Sequence, residues 1–179
     1  LGTGKIGAAV IKNLSGFGCR ILASDIRENP SLKGLCTYVD NETLYKACDI
    51  ISLHMPLLES TRHFVNAETI ARMKDGITII NCARGELMNI PDMIRGIETQ
   101  KIGALALDVF DKEDGIYHEN RRDDILSNRD MAYLRQFPNV IMTQHMAFYT
   151  DAAVQSMVFC GIEGLCDFAR TGHTATELV

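Results

Sequence analysis

The sequence predicts an α/β domain in which a parallel β-sheet is covered by helices on both faces, giving three layers. Apolar runs of strand length alternate along the chain with segments of helical character. The strand-like runs are CRILASD, TYVD, DIISLH, GITIINCA, GALALDV and NVIMT. Strands that alternate with helices favour parallel pairing, because each crossover helix returns the chain to the same end of the sheet.

The first seven residues, LGTGKIG, contain a glycine loop that leads into a helix. Gly2, Gly4 and Gly7 have the spacing G-x-G-x-x-G. In that pattern the first glycine permits a tight turn, the second lets a pyrophosphate approach the backbone, and the third allows helix and strand to pack closely. Apolar residues then recur at helical spacing from Ile6 to Phe17, so an amphipathic helix is expected to direct its first N–H groups at a phosphate. The alternative is a purely structural glycine turn.

Asp25 ends the run CRILASD, 25 − 7 = 18 residues after the last glycine of the loop. A dinucleotide-binding fold places an acid at about this separation to bind the hydroxyls of the adenosine ribose. Loop, helix, strand and acid together predict a Rossmann-like, doubly wound sheet; the alternative is that Asp25 only caps a strand. The strand that normally leads into such a loop is not seen, so residues 1–179 are interpreted as a fragment that lacks the first strand of the fold.

Further helices are expected between the later strands. They cover residues 42–47, the segment NAETIARM with Asn66 as its N-cap, a region near PDMIRGIET, and a long closing stretch from about residue 151 to 169. The charged stretch DKEDGIYHENRRDDILSNRD is expected to be a mostly solvated loop. Because long loops in compact domains are often functional, its first residues are candidates for a site.

Composition narrows the class of protein. The 179 residues favour one domain, or one domain and a fragment of another. A net charge of −5 without a basic block argues against nucleic acid or an anionic membrane as the main partner. No uninterrupted apolar run approaches ~18 residues and no signal-like N-terminus is present, which predicts a soluble, cytoplasmic protein. The six cysteines form no C-x-x-C pair, so reduced core residues are expected rather than disulfides or a metal site.

Polar groups follow four of the apolar runs, where the carboxyl ends of parallel strands meet and ligands bind. These places are HMP, ARG, DVFDKE and QHMAFYT. We expect Arg84, Asp108, Glu113 and His145 to converge beside the nicotinamide end of a bound dinucleotide. His54, at the end of another strand on the same edge, is the rival of His145. Each of these residues also has an ordinary structural explanation, such as a surface ion pair.

Five segments together resemble the cofactor domain of the D-isomer-specific 2-hydroxyacid dehydrogenases. They are GTGKIG, SDIRENP, HMPLLESTRHFVNAETIARMKDGITIINCARGELMN, ALDVFDKEDG and QHMAFYT, and the similarity extends over essentially the whole chain. The tail AFYT and the spacing D-V-F-x-x-E are most similar to the D-lactate dehydrogenase branch. In this family the substrate domain largely precedes the glycine loop, so the resemblance implies that a substrate domain is absent upstream.

The resemblance also implies roles for individual residues. Arg84 would bind the carboxylate and keto oxygen of the substrate, His145 would be the general acid and base, and Glu113 would hydrogen-bond that histidine. The residues implied in binding NAD are Gly2, Gly4, Lys5, Ile6, Gly7, Asp25, Met55, Pro56, Thr61, Cys82, Ala83, Arg84 and Asp108. Gln144, Asn89 and Cys82 depart from the residues usual in the family, which affects fine geometry rather than these roles.

The function implied is NADH-dependent reduction of a small 2-keto acid to a D-2-hydroxy acid by a homodimer that associates through this domain. Hydride transfer requires a cation to hold the carboxylate and an acid to protonate the oxygen, and arginine and histidine suit these two tasks. The fragment alone is expected to be inactive. The alternative is a non-catalytic NAD(H)-sensing module like the corepressors that resemble this family, which retention of the three catalytic residues does not exclude.

Overall fold

A computed structural model describes residues 1–113, 115–118, 120 and 128–175. The chain divides into two compact units, Leu1–Gln144 and His145–Val179. The strands of the first unit are β1 (Leu22–Ala23), β2 (Thr37–Tyr38), β3 (Ile50–Leu53), β4 (Ile77–Asn81), β5 (Ile102–Leu107) and β6 (Val140–Met142). Its helices are α1 (Lys5–Leu14), α2 (Asn41–Ala47), α3 (Ala67–Arg72), α4 (Ile90–Glu98) and α5 (Arg129–Leu134). The second unit contains α6 (Asp151–Thr171).

The six predicted strands are confirmed, and every pairing between them is parallel. They form two sheets rather than one: β1 pairs with β2, and the order in the second sheet is β3-β4-β5-β6. Strands β4 and β5 lie inside the larger sheet and carry almost only apolar residues, as expected for parallel strands covered on both faces.

Leu1 and Gly2 hydrogen-bond to both sheets. The amino group of Leu1 donates to the carbonyl of Ser52 at 2.8 Å, and the N–H of His54 donates to the carbonyl of Leu1 at 2.7 Å. The N–H of Gly2 donates to the carbonyl of Ser24 at 2.9 Å. The start of the glycine loop therefore lies between the carboxyl ends of β1 and β3, the two strands that border the gap between the sheets.

Capping side chains explain where several helices begin. The side chain of Asn66 accepts hydrogen bonds from the N–H groups of Glu68 and Thr69, which confirms its predicted role at the start of α3. Helix α5 was not predicted: it begins in the charged stretch 111–130 and is capped by Asn128. Residues 114, 119 and 121–127 of that stretch lie outside the described residues.

The first unit contains two hydrophobic clusters. The larger one surrounds β3, β4 and β5 and includes residues from α2 to α5. The smaller one consists of Ala8, Ile11, Ala23 and Leu32, with Tyr38 among the partly buried residues packed against it. Helix α1 and the small sheet are thus held by a core of their own.

Helix α6 begins at the N-cap Thr150 and ends at Gly172, whose φ of 76° is the left-handed conformation that favours glycine. None of its residues is buried, and large apolar side chains such as Phe159 and Leu165 are exposed. Among the described helices, α6 alone is long and apolar enough to cross a membrane by length and composition. The expectation concerned an uninterrupted apolar run, and Glu163 and Asp167 interrupt this one. A core helix of a water-soluble protein meets the same criterion of length and composition.

The prediction that the cysteines are core residues is wrong. All six have free thiols, but Cys19, Cys82, Cys160 and Cys166 are exposed, and Cys36 and Cys48 are only half-buried. All six lie either between the named elements or on α6, where apolar neighbours in the sequence do not bring burial.

Candidate active site

The glycine loop has the shape that a bound pyrophosphate requires. A Cβ on Gly2 would lie 2.7 Å from the carbonyl carbon of His54, and one on Gly7 would lie 2.0 Å from the carbonyl oxygen of Gly2. By contrast, no atom lies within 4 Å of the Cβ position of Gly4, so the backbone there is open to a ligand. Gly4 is also the N-cap of α1 and offers no capping side chain, and the predicted neighbours Lys5 and Ile6 are exposed in the first turn. This loop fits the pyrophosphate of a dinucleotide.

Asp25 presents an exposed carboxylate just after β1. Its Oδ2 accepts hydrogen bonds from the backbone N–H of Thr3 at 2.5 Å and from the Thr3 hydroxyl at 3.0 Å, and its Oδ1 accepts one from the N–H of Arg27 at 3.2 Å. Partial burial opposes ionisation, but these hydrogen bonds, with one from Ile26, outweigh it and lower the pKa of Asp25. The acid is therefore charged and held beside the glycine loop. The sequence did not single out Thr3, which is buried inside the G-x-G motif.

His54 lies half-buried where β3 ends, next to the glycine loop. Its Nε2 is 2.9 Å from the hydroxyl of Ser52, while its buried Nδ1 has no hydrogen-bond partner among the described residues. Burial, and secondarily the ammonium group of Leu1, lowers the pKa of His54 to about 4. The ring is therefore neutral at neutral pH.

Met55, Pro56 and Thr61 continue the chain from His54. Met55 packs partly buried against the larger core, and Pro56 is exposed. The hydroxyl of Thr61 donates to the carbonyl of Pro56 at 2.8 Å and accepts the N–H of Leu58 at 2.7 Å. Thr61 thus shapes this loop, and its contact with NAD stays a prediction.

Asn81, completely buried at the end of β4, fixes the turn that carries Arg84. Its side-chain oxygen accepts the N–H of Ala83 at 2.9 Å, and its amide nitrogen donates to the carbonyl of Arg84 at 2.8 Å. Its backbone carbonyl accepts the N–H of Asp108 at 3.0 Å. Asn81 therefore links the positions of Arg84 and Asp108. The sequence prediction passed over it, although a polar residue at the end of an apolar strand was a usable signal.

Arg84 extends from this turn with an exposed side chain, and its Nη1 donates to the carbonyl of Ala83 at 2.7 Å. The next residue, Gly85, packs against the loop after β5 so tightly that a Cβ would lie 2.1 Å from the carbonyl carbon of Phe110. Desolvation, and secondarily the charge of Asp108, raises the pKa of the neighbouring Cys82 thiol. The raised pKa favours the protonated thiol, and the contact of Cys82 with NAD stays a prediction.

Asp108 and Glu113 lie in the loop that follows β5. Asp108 is buried, and its Oδ1 accepts a hydrogen bond from the hydroxyl of Thr143 at 2.5 Å. Glu113 accepts the N–H of Phe110 on its Oε2 at 2.7 Å. Through Asn81 and Gly85, the structure brings this loop against the turn of Arg84, as the sequence predicts.

His145 is the first residue of the second unit. It is half-buried and has a φ of 53°, a left-handed conformation that is uncommon outside glycine and is enriched at functional sites. A hydrogen bond between His145 and Glu113 would join residues of the two units, and it stays a prediction.

Residues 1–147 match the D-isomer specific 2-hydroxyacid dehydrogenase, NAD binding domain family. The chain belongs to this family. It is 42% identical over its full length to an aromatic 2-oxoacid reductase of Clostridium sporogenes (strain ATCC 7955) and 36% identical to the D-lactate dehydrogenase kk1H of Curvularia clavata. These alignments cover 54% and 51% of the two relatives, so the chain spans about half the length of the curated relatives it matches.

Solved structures show the same fold. A D-lactate dehydrogenase from Sporolactobacillus sp superposes on 99% of the chain with a TM-score of 0.93 and 33% identity, using 53% of its own length. The NAD-complexed form of a D-isomer specific 2-hydroxyacid dehydrogenase from Lactobacillus delbrueckii ssp. bulgaricus covers 99% of the chain with a TM-score of 0.89 and 31% identity, using 54% of its own length. The family resemblance, the Rossmann-like α/β fold and NAD as the cofactor of this domain are confirmed.

Proposed function

We propose that residues 1–179 form the cofactor-binding half of an enzyme that reduces a 2-keto acid to a D-2-hydroxy acid with NADH. One observation carries the proposal. The exposed guanidinium of Arg84 lies on a turn that is held against the acidic loop 108–113, at the same edge of the sheet as a glycine loop open to pyrophosphate. The names of the relatives, an aromatic 2-oxoacid reductase and D-lactate dehydrogenases, support 2-keto acids as the substrate class.

Arg84 would bind and orient the substrate. Its planar guanidinium can donate two parallel hydrogen bonds to a carboxylate, a geometry that lysine does not reproduce. Asn81 and Gly85 hold the turn on both sides of Arg84, so the cation is positioned before the substrate arrives. Such positioning lowers the entropic cost of reaching the reactive geometry.

His145 would donate the proton to the keto oxygen, and Glu113 would stabilise its protonated form. The reduced nicotinamide, when bound, supplies the hydride that the keto carbon accepts. The proton and the hydride together convert the carbonyl to a hydroxyl, and the reverse reaction returns the proton to His145. The low pKa of His54, about 4, supports His145 rather than His54 as the proton donor, because a ring that is neutral at neutral pH is a poor donor.

The substrate domain would be supplied by polypeptide upstream of Leu1, which would also contribute a first strand. Two observations support this: the relatives are about twice as long as the chain, and the hydrogen bonds of Leu1 and Gly2 place the glycine loop opposite the gap between β1 and β3. A single strand in that gap would join the two sheets into one, as expected for a doubly wound fold.

The full protein would be a cytoplasmic homodimer that associates through this domain and binds neither nucleic acid nor membrane. The net charge of −5 without a basic block supports this proposal. In it, the exposed apolar side chains of α6 are covered by protein rather than by lipid, since a helix that is apolar on most sides is normally buried.

The test is spectrophotometric NADH oxidation by the full-length polypeptide that contains residues 1–179, with pyruvate and phenylpyruvate as substrates. We expect saturable turnover of at least one of them. Arg84→Lys should lower kcat/KM about 100-fold, with an increase in KM, because carboxylate binding and orientation fail together. Arg20→Lys, which changes an exposed arginine elsewhere in the same unit, is the matched control. NADH binding without turnover of any 2-keto acid would instead favour an NAD(H)-sensing module.

A further inference from the structure

A chain of hydrogen bonds leads from the end of β2 to the carboxylate of Asp25. The N–H of Asn29 is 2.8 Å from the hydroxyl oxygen of Tyr38, and that hydroxyl is 3.0 Å from the hydroxyl oxygen of Thr3. The Thr3 hydroxyl is in turn 3.0 Å from Oδ2 of Asp25. The amide of Asn29 also donates to the carbonyl of Thr3 at 3.1 Å, which fixes the backbone in the middle of the chain.

The protons of this chain have one possible order. An amide N–H can only donate, so Tyr38 accepts from Asn29 and its own proton points to Thr3. The Thr3 oxygen accepts that proton, and its own proton then points to Asp25, whose carboxylate can only accept. Every donor in the chain is directed toward Asp25, an arrangement in which successive hydrogen bonds strengthen one another.

We propose that Tyr38 and Thr3 are positioning residues that select NADH over NADPH, because they hold Asp25 in a single orientation at the ribose site. The inference rests on the assignment of Asp25 to the adenosine ribose. An exposed carboxylate on a short side chain can otherwise rotate away from an incoming 2′-phosphate, and the electrostatic discrimination falls with distance. The backbone N–H and the hydroxyl of Thr3 both donate to Oδ2, and the N–H of Arg27 donates to Oδ1, so the carboxylate is held against rotation on both oxygens.

The surroundings show why this restraint is needed. The side chain of Arg27 is exposed two residues after Asp25, and a guanidinium close by would attract a 2′-phosphate. Fixing the carboxylate of Asp25 keeps its negative charge at the ribose, so that repulsion of a 2′-phosphate by Asp25 outweighs its attraction to Arg27. Tyr38 suits this role because its ring is anchored against the small core of Ala8, Ile11, Ala23 and Leu32 while its hydroxyl reaches Thr3.

The experiment measures the dissociation constants of NADH and of NADPH by fluorescence titration of the full-length polypeptide. Tyr38→Phe keeps the ring in the core and removes one hydroxyl, so it preserves folding. Thr3→Val removes the hydroxyl that contacts Asp25, and Thr3→Ser retains it. Thr37→Val is the matched control, since this exposed threonine precedes Tyr38 on the same strand.

The NADH preference should fall about fivefold in Thr3→Val, as expected for the loss of one hydrogen bond to a charged group that is partly exposed to water. Tyr38→Phe should reduce it about twofold to threefold, since it acts through Thr3. Thr3→Ser and Thr37→Val should retain the original preference. The proposal would be overturned if Thr3→Val weakened the binding of NADH and NADPH equally, or if it left the ratio of the two dissociation constants unchanged. Absence of NADH binding in the unmodified protein would instead refute the assignment of the dinucleotide site itself.

Discussion

His54 should make the stability of the protein depend on pH between about 6.5 and 4. Its pKa is about 4 in the folded protein, against an ordinary value of 6.5, because of burial and, secondarily, the positive charge of the Leu1 amino group. In the unfolded chain the ring takes up a proton near its ordinary pKa of 6.5. The stabilisation is therefore fully present above pH 6.5 and is lost as the pH falls toward 4.

The size of the effect follows from the two pKa values. The two pKa values differ by 6.5 − 4 = 2.5. This difference sets an upper limit of about 3.4 kcal/mol on the contribution of His54 to the free energy of unfolding. His54 is only half-buried, so solvent screening reduces the expected contribution to about 1–2 kcal/mol. His54→Gln places a side chain there that does not titrate and that can still reach Ser52.

The assay is urea unfolding at pH 7.5, 6, 5 and 4.5, roughly spanning this window. Between the two extremes, the free energy of unfolding should fall by about 1–2 kcal/mol more in the unmodified protein than in His54→Gln. His173→Gln, at an exposed histidine of the second unit, is the matched control. Parallel pH profiles for the unmodified protein and His54→Gln would refute the reasoning, and would return His54 to consideration as the acid of the reaction.

Four further predictions concern cofactor binding, catalysis and stability. The full-length polypeptide should bind NADH at least about tenfold more tightly than NADPH, roughly 1.4 kcal/mol, and equal dissociation constants in a titration would contradict the role of Asp25. His145→Asn should abolish most turnover while NADH binding persists, because the loss lies in proton transfer; near-normal kcat would exclude His145 as the acid. Asn81→Leu should destabilise the domain by about 2–4 kcal/mol in denaturant unfolding, because the N–H of Ala83 and the carbonyl of Arg84 lose their partner, and Asn66→Ala, at the cap of α3, provides a comparison of about 1 kcal/mol. Residues 1–179 alone should bind NADH weakly, if at all, and show no measurable turnover, since the two-domain proposal assigns one wall of the cleft to a second domain; saturable keto acid reduction by this chain would contradict that proposal.

Local patterns were sufficient to predict the six strands, the glycine-loop helix and the cap at Asn66, because each depends on residues close in sequence. Helix α5 escaped prediction because six residues show too little periodicity, and its apolar residues Met131 and Leu134 are recognisable only once they pack into the core. The division into two sheets was also not predicted, because it depends on which strands pair across the glycine loop.

The sequence indicated residues that directly follow strands more readily than residues that support them through hydrogen bonds. Arg84, Asp108 and Glu113 follow strands, so their convergence could be expected from the parallel sheet alone. Asn81 bonds to Ala83 and Arg84, which are close in sequence, and its position as a polar residue at the end of an apolar strand was the signal that was passed over. Thr3 acts through a hydrogen bond to Asp25, a partner that only the fold brings near. The burial of the cysteines was predicted wrongly for the same reason: apolar neighbours in the sequence do not specify which side of an element faces the core.

The separate small core has a consequence for local unfolding of the protein. Ala8, Ile11, Ala23 and Leu32 support α1, β1 and Asp25, whereas Arg84 and Asp108 are anchored on the larger cluster around β4 and β5. A cluster of so few buried side chains is expected to open at a lower free-energy cost than the larger one. On the proposed assignment of Asp25 to the adenosine ribose, that side of the site would open by local unfolding while the edge that carries Arg84 stays folded. A dinucleotide that contacts both regions would suppress this local unfolding. Its binding would then slow amide hydrogen exchange in the small sheet of β1 and β2, at a distance from the keto carbon that accepts the hydride.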